Sequence, residues 1–262
     1  MIKAKKHLGQ HFLADKNIAR KIAELMPVSE NGVLEIGPGT GVLTRILREK
    51  HSQTLQVVEI DRESIEVLKE EFPDMLDRIH FADFLKMDIC SLFPGLFHVI
   101  GNFPYNISSP ILFKVIEHHT RIPIVAGMFQ KEVAERIASK PKSKQYGILS
   151  IWVQLFYDVK YCFTVNENVF IPPPKVKSGV IILNHIDRDL KGVDEKFILK
   201  VVKAGFNQRR KTLRNSLSSL VDKNLLLDDV FNKRPEQLSV EEFIDLSLYL
   251  KSLITNNDKL VD

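Results

Sequence analysis

A short segment near the middle of the chain combines residue types that can hold and orient an aromatic amine. Asn102, Pro104 and Tyr105 lie in the sequence GNFPYN, directly after the apolar run FHVI at 97–100. The Asn102 side-chain oxygen can accept one amine hydrogen, and the Phe103 carbonyl, on a turn fixed by proline, can accept the other. The Tyr105 ring offers a surface on which a base can stack. These residues suit attack by the N6 amine of adenine on an electrophile, with orientation rather than a strong base as the source of catalysis.

A glycine-rich loop, EIGPGTG at 35–41, lies between an apolar strand and a helix and has the pattern of a nucleotide site. Gly37 and Gly39 let the backbone turn tightly and approach a ligand, while the following helix presents free N–H groups. Glu59 ends the next predicted strand, where a carboxylate can accept hydrogen bonds from ribose hydroxyls. The spacing departs from the G-x-G-x-x-G of NAD sites and resembles the S-adenosylmethionine loop of doubly wound methyltransferases. The alternative is a tight turn that binds no ligand.

Asp83 and Phe84 follow the third predicted strand, in the sequence ADFLK at 82–86. The Asp83 carboxylate can accept a hydrogen bond from the amino group of the cofactor's adenine, and Phe84 can pack on its ring. An aspartate after a strand is also a common turn cap, so both interpretations of Asp83 stay open.

The elements that must position these residues alternate between two hydrophobic periodicities. Apolar and branched runs predict strands at 32–37, 55–61, 78–83, 97–102 and 122–130, and helical spacing predicts helices at 15–26, 41–50, 62–72, 109–119 and 131–139. Such alternation indicates an α/β fold with a parallel sheet, whose strand carboxyl ends bind ligands. Two later strand-type segments, 157–165 and 178–186, are predicted to close the sheet with an antiparallel edge.

The sequence changes character near 188–192, and from Val193 onward its patterns predict only helices. These predicted helices span 194–206, 209–220, 223–232 and 239–254. We therefore predict a Rossmann-like methyltransferase domain over 1–188 and a small all-helical domain over 189–262.

Charge is unevenly distributed along the 262 residues, whose net charge is +4. Nine acidic and five basic residues give 222–262 a net charge of −4, which leaves +8 for residues 1–221. This balance favours a polyanionic partner for the main body of the chain. Cys90 and Cys162 lack metal or redox spacing, so we predict no metal site and a cytoplasmic location. We find neither a signal peptide nor an apolar run of membrane-spanning length.

Taken in series, the motifs resemble those of the ribosomal RNA adenine dimethyltransferases. The best match is to the bacterial branch, which dimethylates two adjacent adenosines near the 3′ end of 16S small-subunit rRNA during ribosome biogenesis. The resemblance covers nearly the whole chain. It rests on LGQHFL (8–13), EIGPGTG (35–41), VEID (58–61), ADFLK (82–86), GNFPYNISSPILFK (101–114), FQKEVAERI (129–137), FIPPPKVKSGVI (170–181) and FNQRRKTLRNSL (206–217).

This resemblance implies that the cofactor is S-adenosylmethionine and assigns residues to it. His11 and Leu13 would line the cofactor pocket from the N-terminal segment. Gly37 would contact the methionine part, Glu59 the ribose and Asp83 the adenine.

The resemblance also implies a site for the target adenine. Asn102 would lie between cofactor and base, and Tyr105 and Phe170 would stack on the base from different sides. The alternative for Phe170 is a buried anchor for the rigid proline loop that follows it. Two positions depart from the family pattern, which more often has asparagine at His11 and leucine at Phe103. A histidine can still donate a hydrogen bond, and only the backbone carbonyl of Phe103 carries a predicted role.

Basic clusters at 1–21, 139–147 and 203–214 suit contacts to phosphates, with a solvated surface as the alternative for each. The family resemblance is strongest in the third. We predict RNA binding by its five cations, Lys203, Arg209, Arg210, Lys211 and Arg214. The implied partner is small-subunit rRNA in a late assembly intermediate of the small ribosomal subunit, and we expect a monomer.

Three other functions compete with this prediction. One is an adenine methyltransferase of large-subunit rRNA, of the antibiotic-resistance type, whose motif usually reads Asn-Ile-Pro-Tyr. Another is a non-catalytic assembly factor of the small subunit, against which the intact motif at Asn102–Tyr105 argues. An NAD-dependent oxidoreductase is disfavoured by the loop spacing and leaves that motif without a role.

Overall fold

A computed structural model describes residues 2–258 and divides the chain into two compact units. The first unit comprises Met1–Glu135 and Tyr157–His185, and the second comprises Arg136–Phe156 and Ile186–Asp262. The boundary predicted at 188/189 lies close to the chain's final entry into the second unit. The sequence had placed 136–156 in the first domain, whereas this segment lies in the second unit. Among the described residues, no helix is both long enough and apolar enough to cross a membrane.

A seven-stranded mixed sheet forms the centre of the first unit, and a separate two-stranded pair lies beside the N-terminal segment. The strands are β1 (Phe12–Leu13), β2 (Gly32–Ile36), β3 (Leu55–Glu59), β4 (Ile79–Phe81), β5 (Phe97–Asn102), β6 (Ile124–Gln130), β7 (Tyr157–Val165), β8 (Phe170–Ile171) and β9 (Ser178–His185). The large sheet has the order β4-β3-β2-β5-β6-β9-β7. Strands β2 to β6 are parallel, and β9 runs antiparallel to both β6 and β7. The predicted α/β class and its antiparallel edge are confirmed.

Amphipathic helices supply the rest of the first unit's core. They are α1 (Lys16–Ala23), α2 (Val42–His51), α3 (Arg62–Glu71), α4 (Ser108–Glu117) and α5 (Lys131–Ile137), the last of which crosses into the second unit. Each of the first three directs an apolar face inward: Ile22, Leu47 and Leu68 are fully buried and belong to one cluster with Val57 of β3. This packing fixes the helix that begins directly after the glycine-rich loop.

The winding of the sheet creates a crevice beside β2. From β2 the chain proceeds outward through β3 and β4, and it then returns to place β5 on the other side of β2. In open parallel sheets, ligands bind where the loops at such a reversal diverge. The register pairs Glu35 of β2 with Ile100 of β5, so the glycine-rich loop and Asn102 emerge side by side.

The pairing of β1 with β8 joins two segments about 160 residues apart and was not predicted. Phe12 faces Ile171 and Leu13 faces Phe170. The Ala14 N–H continues the ladder by donating to the Val169 carbonyl at 2.8 Å. The N-terminal segment is therefore held against the loop that contains the three prolines.

The second unit is helical, but its helices are shorter and less regular than the sequence predicted. It contains α6 (Ile148–Gln154), α7 (Glu195–Asn207), α8 (Leu213–Ser216) and α9 (Val240–Asp258). The helix predicted at 209–220 shrinks to α8 and a 3-10 turn, and that at 223–232 is replaced by two 3-10 turns. The Asp222 carboxylate accepts from the Asn224 N–H at 2.9 Å, a local bond that competes with helix formation. Helix α6 was not predicted.

Candidate active site

A cleft with about 710 Å³ of free space, part of it open to solvent, lies at the crevice beside β2. Its walls come from four segments of the first unit that the sequence had singled out separately. They are residues 8–13, the glycine-rich loop with the start of α2, the end of β3, and 102–105. The cleft thus brings together five of the predicted cofactor-binding residues, His11, Leu13, Gly37, Gly39 and Glu59, with the catalytic motif that contains Asn102, Pro104 and Tyr105.

The glycine-rich loop follows a left-handed backbone that suits a close approach by a ligand. Gly37 has φ 67° and Gly39 has φ 57°, values that residues with a side chain rarely adopt. A Cβ added to Gly39 would lie 2.9 Å from the Phe12 ring. Both the conformation and the space therefore require glycine at this position.

Glu59 is fixed at the end of β3 by three backbone donors. Its Oε2 accepts from the Gly39 N–H at 3.0 Å, and its Oε1 accepts from the N–H groups of Ile60 and Asp61 at 2.9 Å each. Burial raises the pKa of this carboxyl, and the three hydrogen bonds oppose that rise. The carboxylate is 6% exposed and lines the cleft, so its remaining lone pairs can accept hydrogen bonds from ribose hydroxyls.

Glu35 is a second buried carboxyl in the same cleft, and it is not among the predicted site residues. It is 1% exposed, and its Oε2 has no hydrogen-bond partner among residues 2–258. Burial raises its pKa to about 8; the Thr44 hydroxyl opposes the rise and the Glu59 carboxylate adds to it. A buried carboxyl with one oxygen left without a partner at the cleft wall fits a ligand that carries positive charge, as S-adenosylmethionine does.

Asp83 and Phe84 lie outside the residues that line the cleft. The Asp83 Oδ1 accepts from the Leu85 N–H at 3.0 Å, which is the geometry of a turn cap, the alternative to a role at the cofactor. Phe84 is 4% exposed, and the Lys114 ammonium lies 5.2 Å from the centre of its ring. Their roles at the cofactor's adenine stay predictions, and Phe84 would have to be uncovered to stack on a ligand.

Ile60 is an apolar cleft residue that is not among the predicted site residues. Its side chain is 47% exposed although it follows a buried strand, and it lines the cleft next to Glu59. An exposed aliphatic side chain here suits the face of an adenine ring. Ile60 could have been predicted as a cleft residue, because it directly follows Glu59 at the carboxyl end of β3.

The N-terminal segment is anchored beside the cleft through Asp61, which directly follows the strand that carries Glu59. The Asp61 carboxylate is paired with the Lys5 ammonium and accepts from Gln10 Nε2 at 3.0 Å. Burial acts to raise the Asp61 pKa, but hydrogen bonds from Gln10, Lys5 and the Glu63 N–H, together with the Lys5 charge, hold this pKa below its usual range. At the other end of the segment, His11 Nδ1 donates to the Pro172 carbonyl at 2.8 Å. The histidine therefore donates within the protein, and its role at the cofactor stays a prediction.

Asn102 contacts this segment directly. Its Nδ2 donates to the His11 backbone carbonyl at 2.9 Å. Because the amide nitrogen is engaged in this way, the amide oxygen is left as the group that can accept from a ligand in the cleft. The predicted acceptor role of Asn102 thus receives a physical basis.

Tyr105 is half-buried in the cleft wall, with both its hydroxyl and its ring contacted. Its hydroxyl and that of Ser178, the fully buried first residue of β9, are 2.5 Å apart. Its ring lies 5.6 Å from the His11 ring, tilted by 31°. Burial raises the pKa of the phenol, so it stays neutral at physiological pH. The residue therefore offers a fixed, uncharged ring.

The departure at Phe103 is accommodated by the strands beneath it. The Phe103 side chain is 1% exposed and lies 4.9 Å from the Phe129 ring. Added Cβ atoms on Gly101 and Gly127 would lie 3.0 and 2.4 Å from the Phe103 ring. The larger side chain thus occupies space provided by two glycines.

Phe170 is not among the residues that line the cleft. Its side chain is 2% exposed and belongs to the core cluster of the first unit, next to its β-ladder partner Leu13. This geometry is that of a buried anchor, the alternative to stacking that the sequence allows for Phe170. A stacking role for Phe170 stays a prediction and requires the ring to become exposed.

The predicted RNA-binding residues belong to the second unit. Lys203, Arg210 and Lys211 are exposed, whereas Arg209 and Arg214 are half-buried. Arg209 differs from the others, because its Nη2 donates to the Lys144 carbonyl at 2.7 Å. The five cations therefore do not form one uniform group.

Comparisons with known proteins agree with this geometry. The chain matches the ribosomal RNA adenine dimethylase family over residues 1–252. It is 56% identical over 249 residues to ribosomal RNA small subunit methyltransferase A of Cytophaga hutchinsonii, covering 94% of this chain and 96% of the relative. Identity to the protein of the same name from Parabacteroides distasonis is 55% over 251 residues, covering 95% and 94%.

Two solved structures share the architecture. A dimethyladenosine transferase from Plasmodium falciparum has a TM-score of 0.79 at 29% identity, covering 92% of this chain and 98% of that one. The 23S rRNA methyltransferase ErmE has a TM-score of 0.66 at 25% identity, covering 89% and 98%. The predicted family, methyltransferase fold and enzyme class are confirmed. The chain belongs to the ribosomal RNA adenine dimethylase family.

Proposed function

We propose that this protein transfers methyl groups from S-adenosylmethionine to the N6 amines of two adjacent adenosines near the 3′ end of 16S small-subunit rRNA. The observation that carries the proposal is the Asn102 amide, whose nitrogen donates to the His11 carbonyl and whose oxygen is left to accept from an amine. An acceptor fixed in this way, beside the Tyr105 ring, suits an aromatic amine as the substrate.

The residues of the cleft fit the cofactor. Glu59 would hold the ribose, Gly37 and Gly39 would admit the methionine part, and Glu35 would face its positive charge. When bound, S-adenosylmethionine supplies an electrophilic methyl group on a sulfonium that leaves as a neutral thioether.

The remaining chemistry consists of orienting a weak nucleophile. The lone pair of the N6 amine is delocalised into the adenine ring. Hydrogen bonds from its two N–H groups to Asn102 Oδ1 and the Phe103 carbonyl would direct that lone pair out of the ring plane. The alkylated nitrogen is acidic, so its proton can leave to water without a strongly basic side chain. After the first transfer one N–H remains, and only one of the two acceptors is then used.

The small-subunit assignment is favoured over the competing functions by two observations. Relatives that cover almost the whole chain at 55–56% identity are named for the small subunit, whereas the 23S rRNA enzyme is 25% identical. The ordered contacts of Asn102 and Tyr105 argue for catalysis rather than for binding alone. We further propose that the protein acts as a cytoplasmic monomer on a late assembly intermediate of the small subunit, with the second unit binding RNA.

Methyl transfer to three purified substrates tests this function. They are unmethylated small subunits, unmethylated naked small-subunit rRNA, and large-subunit rRNA. We expect N6,N6-dimethyladenosine to form in the small subunits. Methylation of large-subunit rRNA instead would move the assignment to the resistance-type enzymes. Tight binding of small subunits without methylation of any substrate would favour the assembly factor.

A further inference from the structure

We infer that two loops distant in sequence form one phosphate-binding surface in the second unit, and that Arg209 positions this surface rather than contacting RNA. The surface comprises Lys140, Lys142 and Lys144 from the loop 140–146, with Arg210 and Lys211 from the loop after α7. This inference rests on the proposed function, because it specifies how that RNA substrate would be held.

Hydrogen bonds from one side chain hold the two loops together. Arg209 Nη2 donates to the Lys144 carbonyl at 2.7 Å and to the Ser143 carbonyl at 3.4 Å. The guanidinium is half-buried, while Lys144 and Arg210 on either side of the junction are exposed. Arg209 therefore uses part of its donor set within the protein and keeps two cationic loops adjacent, although their charges repel each other.

The lysine loop is also held by its own backbone and by the segment before α9. The Lys142 N–H donates to the Glu236 carbonyl at 2.6 Å. Lys142 has φ 71°, a left-handed conformation that is costly for a residue with a side chain. Such strain persists only where surrounding contacts enforce it, and it concentrates at functional sites. The enforced turn leaves the Lys142 side chain exposed.

Turn hydrogen bonds and a buried ring make the lysine loop a rigid platform. The Ser143 N–H donates to the Lys140 carbonyl at 3.2 Å, and the Tyr146 N–H donates to the Ser143 hydroxyl at 3.2 Å. Tyr146 is fully buried and anchors the end of the loop. Three lysines held on an ordered loop lose less conformational entropy on binding than lysines on a mobile one.

The chemistry of the surface selects a nucleic-acid backbone. Its five cations are exposed, and the nearby Glu242 is already paired with Lys233 at 2.9 Å. Clustered lysines and arginines recognise phosphates through charge and make affinity depend on salt. The surface therefore supplies binding strength and register, while the cleft of the first unit selects the base.

Salt-dependent binding of unmethylated small-subunit rRNA, transcribed in vitro, tests the inference. Binding weakens as salt rises, and each lost phosphate contact makes the slope of log K against log salt shallower by about 0.7 to 0.9. We expect the triple variant K140Q/K142Q/K144Q to make this slope shallower by about two. Arg209→Lys keeps the positive charge but loses the planar guanidinium that holds the two loops together, so it should weaken RNA binding. In the R209K background, the triple variant should then cause a smaller additional loss of binding than it does in the wild type.

Lys196→Gln is the control, because Lys196 is an exposed lysine of the same unit that lies away from the surface. It is about 17 Å along α7 from Asn207, where the loop with Arg210 and Lys211 begins. It should leave binding unchanged, and all variants should retain wild-type affinity for S-adenosylmethionine. A triple variant that binds RNA like the wild type would overturn the inference. So would a combined R209K and triple variant whose loss of binding free energy equals the sum of the two separate losses. Methylation of small subunits by the wild-type protein is measured in parallel. If the wild type does not methylate them, the proposed function fails, whatever the binding results say about the surface.

Discussion

Asn102 and His11 are 91 positions apart in the chain, yet the Asn102 amide donates to the His11 carbonyl at 2.9 Å. This bond joins the end of β5 to the N-terminal segment. It orients the amide oxygen as the acceptor, and it makes the catalytic motif sensitive to the position of that segment. The segment is in turn held by Lys5, Gln10 and the β1–β8 pair.

Loss of the ion pair between Lys5 and Asp61 should weaken cofactor binding. The Lys5→Met variant releases the N-terminal segment from the strand end that carries Glu59. We expect the KM for S-adenosylmethionine to rise about threefold to fivefold, with kcat nearly unchanged. Steady-state kinetics checks this, with Lys6→Met as control because Lys6 is an exposed neighbour. Equal KM values for the two variants would refute the anchoring role.

The hydrogen bond between Tyr105 and Ser178 should affect catalysis less than the Tyr105 ring does. Tyr105→Ala removes the stacking surface, and we expect the rate to fall about 5- to 150-fold. Tyr105→Phe and Ser178→Ala each break the same bond, so each should cause a smaller loss. Their combination should cost no more than the larger single effect. Single-turnover methyl transfer distinguishes these variants, and additive losses would show that the two residues act independently.

Cofactor binding should release a proton from Glu35. The Glu35 pKa is about 8, so the carboxyl is mostly protonated at pH 7 in the free protein. A positively charged ligand in the cleft favours the ionised form. Binding should therefore tighten as pH rises towards 8, with release of up to about one proton at pH 7. Calorimetry in two buffers of different ionisation enthalpy measures this release.

Glu35→Gln provides the comparison, since it cannot ionise. It should bind S-adenosylmethionine without proton release. The raised pKa also determines how the free energy of unfolding depends on pH. Folding raises the Glu35 pKa from 4.5 to about 8, so the protonated carboxyl contributes stability below pH 4.5, and this contribution is lost as pH rises through 8. Wild-type protein should therefore lose stability relative to E35Q over this range. Identical proton release by both proteins would exclude Glu35 as the source.

Gly127→Ala should disturb the catalytic turn through Phe103. The added methyl would lie 2.4 Å from the Phe103 ring and 2.6 Å from the Gly101 carbonyl. We expect a loss of about 1–3 kcal/mol in the free energy of unfolding and a fall in methyl-transfer rate. Gly95→Ala is the control, because nothing lies within 4 Å of the Cβ position there. Wild-type activity in G127A would mean that Phe103 does not constrain the turn.

Sequence periodicity predicted the parallel sheet well because each strand of the crevice reads as a short buried run. Leu55–Glu59 and Phe97–Asn102 both end at polar residues that line the cleft. The same reasoning could not find the pairing of Phe12–Leu13 with Phe170–Ile171, since two-residue strands have no periodicity and their partners are remote. That pairing buries Phe170, which an aromatic residue in a loop motif does not reveal.

The second unit was predicted less well, and local hydrogen bonds explain why. Periodic apolar residues at 223–232 suggested a helix, but the Asp222 side chain caps a 3-10 turn there. Helices this short gain little from propensity alone and depend on tertiary contacts. The bond between Arg209 and Lys144 was likewise invisible, because sequence shows two separate basic clusters.

The most direct test of the proposed role of Asn102 is single-turnover methyl transfer to unmethylated small subunits by Asn102→Ala, with cofactor affinity measured beside it. Removal of the oriented amide should lower the rate of transfer by roughly a hundredfold or more. Affinity for S-adenosylmethionine should change only a few-fold, because Glu35, Glu59 and the glycine-rich loop remain. A variant that forms N6,N6-dimethyladenosine at the wild-type rate would contradict the proposal that Asn102 orients the target amine.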